Sequence, residues 1–169
     1  MVGCVEYETW DEESWTARRP WAEMKTDFVG WHDNIQAIID QVDRDQCDRG
    51  VMNNRPPVER WSTRRATLLG DAAHPTLPYM AQGGVMAIED GAVLARALQQ
   101  ETEASEALDL YQRNRLGRTT RIVNESSENR KMFHLPSEAA LRNAFAQRDM
   151  NAERTAWLFS YDPTTVKLY

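Results

Sequence analysis

The segment of residues 66–100 constrains the fold more strongly than any other part of the chain. It opens with a short, mostly apolar run, passes through a polar and proline-rich turn to the pair Gly83 and Gly84, and continues with a helical pattern. We predict a buried strand over residues 66–69 and a helix over about residues 84–100. Open α/β sheets bind ligands where such strands end, so this layout indicates a ligand site.

The residue types in this segment suit ligand binding. Asp71 follows the predicted strand directly, and Gly70 lets a ligand approach the backbone closely because it has no side chain. Gly83 and Gly84 open the helix, whose free N–H groups and positive dipole end suit an electron-rich ligand edge. We expect a ligand to lie between the Gly-Asp turn and the start of the helix.

Four groups of residues stand at fixed spacings in this segment: Gly70-Asp71-Ala72-Ala73-His74-Pro75, Pro78, Ala81-Gln82-Gly83 and Ala87-Ile88-Glu89-Asp90. With these residues the segment resembles the second FAD-binding motif of the single-component flavoprotein aromatic hydroxylases. Within that family it looks most like the salicylate hydroxylase and 6-hydroxynicotinate 3-monooxygenase group. Weaker similarity occurs at residues 13–16, 30–32, 55–57, 133–136 and 157–162, so the resemblance extends over nearly the whole chain.

The resemblance implies an α/β fold class, here as an α+β fragment: the mostly helical C-terminal part of a FAD/NAD(P)-binding monooxygenase fold, with a few strands. The chain contains no Gly-X-Gly-X-X-Gly motif, which in the family binds the FAD pyrophosphate. We therefore expect the N-terminal dinucleotide-binding βαβ unit to be missing. Residues 1–60 would end the substrate domain and return to the FAD domain, residues 61–100 would carry the FAD motif, and residues 101–169 would form C-terminal helices.

The resemblance also implies roles for individual residues. Asp71 would accept a hydrogen bond from a ribityl hydroxyl of FAD, and the catalytic candidate Pro78 would lie beside the isoalloxazine with its carbonyl facing the substrate ring. Backbone N–H groups near the helix start would contact the flavin pyrimidine edge. The cofactor-binding candidates are therefore Gly70, Asp71, Pro78, Gln82, Gly83, Gly84 and Val85, and the substrate-pocket candidates are Arg55 and Tyr79.

The reaction implied for an intact enzyme uses NADH or NADPH to reduce FAD. Oxygen then adds at flavin C4a, and the hydroperoxide transfers an OH group to an aromatic acid such as a salicylate-like or hydroxynicotinate-like compound. Two alternatives stay open: a truncated, inactive remnant that does not bind FAD alone, or one part of a split or oligomeric flavoenzyme, with a homodimer or the missing N-terminal half as partner. A generic helical interaction domain would leave the motif unexplained.

Composition limits the possible partners. The 20 basic and 26 acidic residues give a net charge of −6, which disfavours nucleic acid or an anionic membrane as a main partner. No apolar run is long enough to predict a transmembrane helix, and the first residues lack signal-peptide character, so we expect a cytoplasmic protein. Cys4 and Cys47 lack metal-ligand spacing, so we expect free thiols and no metal.

The remaining segments predict mostly helices. Residues 2–8 suit a strand, and two helices follow from Pro20, broken near Gly30, whose aromatic and aliphatic stripe we assign to the core. We expect His32 to start a helix, His74 to buttress its loop, and Glu89 and Asp90 to be stabilised by the helix dipole. A long helix capped by Ser105 would run to about residue 130 with its arginines solvated or internally paired, and helices over residues 137–148 and 151–160 would follow.

Overall fold

The computed structural model describes residues 1–9, 14, 16–148 and 152–169, without the side chains of residues 152–154. The described chain divides into two compact units, residues 1–52 and residues 53–169.

The described part of the first unit contains two short helices and a sheet of two strands, each two residues long. Strand β1 (Ala17–Arg18) pairs antiparallel with strand β2 (Asp48–Arg49), and between them lie helix α1 (Trp21–Asp27), helix α2 (Asp33–Asp40) and a 3₁₀ turn (Arg44–Gln46). Helix α1 starts directly after Pro20, and Gly30, with a φ of +83°, lies in the break between α1 and α2. His32 caps α2, because its Nδ1 accepts a hydrogen bond from the Asn34 N–H at 3.1 Å. These predictions are confirmed.

The predicted core of this unit is only partly right. Phe28 and Ile39 are buried, whereas Trp31 and Ile38 from the same stripe are more than half exposed. Helices this short bury a narrow face, so residues beside that face stay in contact with solvent.

The predicted strand over residues 2–8 is wrong, because these residues have no regular secondary structure. A strand needs a neighbour to take its backbone hydrogen bonds. Among the described residues of this unit, the only ladder is the one between β1 and β2.

The second unit is built on two long helices that pack against each other, α3 (Gly83–Gln100) and α4 (Ala104–Phe133). Two 3₁₀ turns precede them, Gly70–Ala72 against α3 and Pro78–Met80 against α4. Helix α5 (Glu138–Gln147) and helix α6 (Ala152–Phe159) complete the unit. The predicted helix 84–100 is confirmed with its start one residue earlier.

The predicted helix ends in this unit are mostly correct. Ser137 caps α5 through a hydrogen bond to its Oγ from the Ala140 N–H. The predicted cap at Ser105 is wrong: α4 begins at Ala104, with Glu103 at its N-cap position. The predicted start of the last helix at Asn151 lies outside the described residues.

The predicted buried strand over residues 66–69 is also wrong. Leu69 has extended backbone, but the only pairing there is an isolated bridge between Ser62 and Thr67, as far as the described residues extend. Leu68 and Leu69 are 46% and 36% exposed. An apolar extended segment is buried only when strands or helices cover it, and sequence pattern alone does not supply that cover.

Among the described residues of the second unit, two apolar clusters form the core. The larger one joins α3 and α4 beneath the first turn, and the smaller one joins the α3 start, the middle of α4 and α6. Their members are Trp61, Ala73, Val93, Ala97, Ala107, Leu110, Tyr111 and Leu168 in the first, and Met86, Ile122 and Leu158 in the second. Within the residues that the structure describes, no helix has the length and apolar character required to cross a lipid bilayer.

Candidate functional site

The Gly-Asp turn depends on the glycine at its start. Gly70 is buried with a φ of +56°, a conformation that side chains disfavour, and a Cβ atom there would lie 3.2 Å from the Ala87 Cβ. The Gly70 carbonyl accepts hydrogen bonds from the N–H groups of Ala73 and His74, each at 2.9 Å. The turn therefore packs closely against α3 and exposes the next residue, Asp71.

A buried carboxylate on α3 holds this turn. Asp90 is fully buried, and its Oδ2 accepts the Gly70 N–H at 2.9 Å and lies 2.7 Å from the His74 Nε2. An ionised carboxylate only accepts hydrogen bonds, so the His74 Nε2–H is the donor to Asp90. The prediction that His74 buttresses the loop is confirmed.

Two arginines of α4 balance the charge of α3. Arg115 is fully buried, and its Nε donates to Asp90 Oδ1 at 2.7 Å while its Nη2 lies 2.8 Å from Glu89 Oε2. Arg118 donates two hydrogen bonds, of 2.9 and 2.7 Å, to the carboxylate of Glu89. It also donates to the backbone carbonyls of Trp157 and Leu158. We call the set Glu89, Asp90, Arg115, Arg118 and His74 the buried network.

Hydrogen bonds and charges within the buried network determine the protonation states of Asp90 and Arg115. Burial raises the pKa of Asp90, but the hydrogen bonds from His74, Gly70 and Arg115 outweigh it and hold the pKa below its usual range. Burial lowers the pKa of Arg115, but the hydrogen bond and charge of Asp90 and the charge of Glu89 outweigh it, so that pKa is raised. Both groups are therefore charged at neutral pH.

The predicted alternative that the α4 arginines are internally paired is confirmed for Arg115 and Arg118, but sequence reasoning did not identify their partners. It assigned Glu89 and Asp90 to the helix dipole alone, although a signal was present. Asp90 falls on the apolar stripe of α3 and Arg115 on that of α4, and charged residues on such stripes are expected to pair. The stripe on α3 contains Met86, Asp90, Val93 and Ala97, and the stripe on α4 contains Leu108, Tyr111, Arg115, Thr119 and Ile122.

Four of the predicted cofactor-binding residues are exposed at the surface: Asp71, Pro78, Gly84 and Val85. We call these four residues the exposed set. No side-chain hydrogen bond to Asp71 occurs in the described part of the chain. Its carboxylate is therefore available to a ligand.

Helix α4 holds the turn that contains Pro78. Ser126 Oγ donates to the Leu77 carbonyl at 2.7 Å, and Asn129 Nδ2 donates to the Tyr79 carbonyl at 3.1 Å. The turn ends at Ala81, which has a φ of +53°. Tyr79 is half-buried, with its ring 5.9 Å from those of both Phe133 and His134, so α4 fixes this side chain.

The start of α3 leaves backbone donors free for a ligand. The first intrahelical hydrogen bond runs from the Met86 N–H to the carbonyl of buried Gln82, so the N–H groups of Gly83, Gly84 and Val85 precede the helical ladder. No side chain caps this end in the structure as described. A Cβ at Gly84 would meet no atom within 4 Å beyond its chain neighbours and its own helix backbone, as far as the chain is described.

Arg55 lies against the Gly-Asp turn. Its Nη2 donates to the carbonyls of Ala72 and Ala73 at 3.0 and 2.8 Å. The structure thus brings Arg55, Gly70 and Asp71 together at one turn. The second turn and the α3 start hold the remaining candidates.

The sequence profile of a family described as FAD binding domain matches residues 8–126. The chain belongs to this FAD-binding domain family. It is 34% identical over 166 residues to 6-hydroxynicotinate 3-monooxygenase of Pseudomonas fluorescens, covering 97% of this chain and 38% of the relative. It is 49% identical over 123 residues to 3-hydroxybenzoate 6-hydroxylase of Polaromonas naphthalenivorans strain CJ2, covering 72% of this chain and 30% of the relative.

This FAD-binding domain chain is also similar to a solved structure. The crystal structure of Klebsiella pneumoniae HpxO complexed with FAD and uric acid matches with a TM-score of 0.66 and 30% identity, covering 79% of this chain and 35% of that one. The resemblance to FAD-dependent aromatic hydroxylases is confirmed, and so is a mostly helical fold with few strands. The chain spans well under half the length of these relatives.

Proposed function

We propose that this chain forms one half of the FAD site in a monooxygenase that hydroxylates a small aromatic acid, such as a salicylate-like or hydroxynicotinate-like compound. One observation carries the proposal: the exposed set leaves a carboxylate and backbone donors available beside a Gly-Asp turn that the buried network holds from within. Family membership and the hydroxylase relatives support the choice of ligand and reaction.

Asp71 would bind the ribityl chain of FAD. A carboxylate suits a hydroxyl group because it accepts without competing as a donor and forms a strong charge-assisted hydrogen bond. Gly70 would support this contact indirectly, since its φ of +56° directs the chain from buried Gly70 to exposed Asp71.

The start of α3 would bind the pyrimidine edge of the flavin. The N–H groups of Gly83, Gly84 and Val85 precede the helical ladder, and a helix N-terminus favours negative charge. The clear space beside Gly84 leaves room for a ring to approach the backbone. Gln82 would contribute to this flavin site from the protein interior, because it is buried at the N-cap position of α3.

Pro78 would border the substrate side of the flavin. A proline fixes its turn and offers a carbonyl without an N–H group, and α4 secures the carbonyls on both sides of it. Tyr79 would line the pocket from its position against Phe133, whereas Arg55 would act through the Gly-Asp turn, whose carbonyls it binds.

When bound, FAD reduced by NADH or NADPH would supply the oxygen chemistry that adds an OH group to the ring. The residues of this chain would orient the flavin and the substrate and keep water from the reacting atoms.

The same proposal includes a partner. The relatives are more than twice as long, this chain has no Gly-X-Gly-X-X-Gly motif, and the extended segment at Leu68 and Leu69 is exposed. We propose that a dinucleotide-binding βαβ unit, in the same polypeptide or in a second one, covers this segment and binds the FAD pyrophosphate. A homodimer remains the alternative partner.

FAD titration of the purified chain tests the assignment of Asp71. Following FAD fluorescence and visible absorbance, Asp71→Asn should weaken binding about tenfold, since a hydrogen bond to a charged group contributes about 1.5–3 kcal/mol. Asp109→Asn is the matched control, because Asp109 is an exposed aspartate on α4. Equal affinity of the two variants would contradict the role of Asp71. No binding by the unsubstituted chain would favour an inactive remnant.

A further inference from the structure

We propose that Asp90 is a positioning residue that holds the Gly-Asp turn and the α3 start in their flavin-binding arrangement. This inference rests on the proposed function, because it concerns how the same FAD site is kept in shape. Asp90 itself is fully buried within the protein and is assigned no contact with FAD.

The two oxygens of the Asp90 carboxylate accept hydrogen bonds from different elements. Oδ2 accepts hydrogen bonds from both ends of one turn, the Gly70 N–H at 2.9 Å and the His74 Nε2 at 2.7 Å. Oδ1 accepts the Arg115 Nε at 2.7 Å. The carboxylate thus joins the turn, α3 and α4 at one point.

Only a carboxylate satisfies all three donors. An asparagine has one oxygen and one NH₂ group, so its NH₂ group would oppose either Arg115 or the pair of donors from the turn. In the first orientation the buried Arg115 charge loses its closest partner, and in the second the turn loses both of its bonds. The residue type therefore follows from the geometry of its surroundings.

The network connects the two elements that would contact FAD. Gly70 immediately precedes Asp71, so the Gly70 N–H bond fixes the backbone that carries the ribityl acceptor. Arg115 Nη2 in turn donates to the Met86 carbonyl at 3.3 Å, in the first turns of α3. Loss of Asp90 should loosen both elements although neither the side chain of Asp71 nor the α3 N–H groups are altered.

The direct test replaces Asp90 with asparagine in the full chain. We expect faster hydrogen exchange at the amides of residues 70–74 and FAD and riboflavin binding weakened about tenfold or more, because Asp71 is no longer held in place. Because a buried ion pair is broken, this variant also risks unfolding.

A matched pair at His74 keeps the test decisive if Asp90→Asn does not fold. His74→Gln retains a donor near the position of Nε2, whereas His74→Leu removes the donor without adding charge. We expect His74→Leu to accelerate exchange at residues 70–74 and to weaken flavin binding about tenfold, and His74→Gln to restore both to within about threefold. A merely structural role would show a common loss of stability in both variants, without this rescue.

The outcomes separate this inference from the proposed function. Unchanged exchange at residues 70–74 in His74→Leu would overturn the positioning role whether or not FAD binds. Faster exchange with unchanged flavin affinity would also overturn it, because the turn would then not matter to the ligand. If the unsubstituted chain binds no flavin, the proposed function fails, and the exchange data alone decide whether Asp90 holds the turn.

Discussion

His74, Glu89 and Asp90 of the buried network lie in the same stretch of sequence as the exposed set but differ from it in their partners. Asp90 and His74 bond to other residues of the chain, whereas Asp71 is exposed, with no side-chain partner in the part of the chain that is described. Asp71 and Asp90 are both aspartates, so residue type alone does not distinguish support from binding. The difference lies in burial: the buried residues hold the turn, and the exposed residues are free for a ligand.

The largest expected effect comes from removing one charge of the buried network. Arg115→Met leaves Asp90 buried without its guanidinium partner, so the free energy of unfolding should fall by about 3–5 kcal/mol. Denaturant unfolding followed by tryptophan fluorescence measures this loss. Arg113→Met, at an exposed position on the same helix, should cost only about 0.5 kcal/mol. Similar losses in both variants would remove the distinction between the network and the surface.

A smaller effect is expected at the turn that links the two sets. Gly70→Ala places a side chain at a positive φ and 3.2 Å from the Ala87 Cβ, so we expect a loss of about 1–3 kcal/mol. The control Gly117→Ala lies inside α4 with open space around its Cβ in the described structure, and it should stabilise the unit by about 0.5–1 kcal/mol. Thermal unfolding of both variants provides the measurement. A neutral Gly70→Ala would show that the turn tolerates another conformation.

The third expected effect is a loss of stability in acid. Because the folded-state pKa of Asp90 is lowered, its ionised form stabilises the fold fully above its usual pKa of 3.8, and this contribution is lost as pH falls through the folded-state pKa. Unfolding midpoints measured from about pH 6 down to pH 2 should therefore fall below about pH 4. In His74→Leu one lowering contact is absent and the folded-state pKa of Asp90 lies closer to 3.8, so the loss of stability in acid should be smaller and should end at a higher pH. Identical profiles would show that His74 does not support the charge of Asp90.

Local signals made the helices and the motif predictable. Pro20, His32 and Ser137 act through neighbours in sequence, and each is found at the helix start where it was expected. The Gly83–Gln100 helix follows from its glycine pair and apolar period. His74 was assigned correctly as a loop support, although its partner was not identified.

Long-range partners limited the rest of the prediction. Residues 2–8 and 66–69 have strand-like sequences, but a strand requires neighbours that the local pattern does not reveal. Asp90 and Arg115 meet across 25 positions of sequence, so their pairing depends on how α3 packs on α4. Arg55 likewise was predicted as a pocket residue, and its contacts with the turn carbonyls emerged only in three dimensions.

The most direct test of the account compares FAD, FMN and riboflavin as ligands of the unsubstituted chain by fluorescence titration. The proposed contacts are all to the ribityl chain and the isoalloxazine, and the sequence lacks the pyrophosphate motif. The account therefore predicts that all three flavins bind with dissociation constants within about threefold, a difference of less than about 1 kcal/mol. Failure of all three to bind, or binding of FAD more than about tenfold tighter than riboflavin, would contradict it.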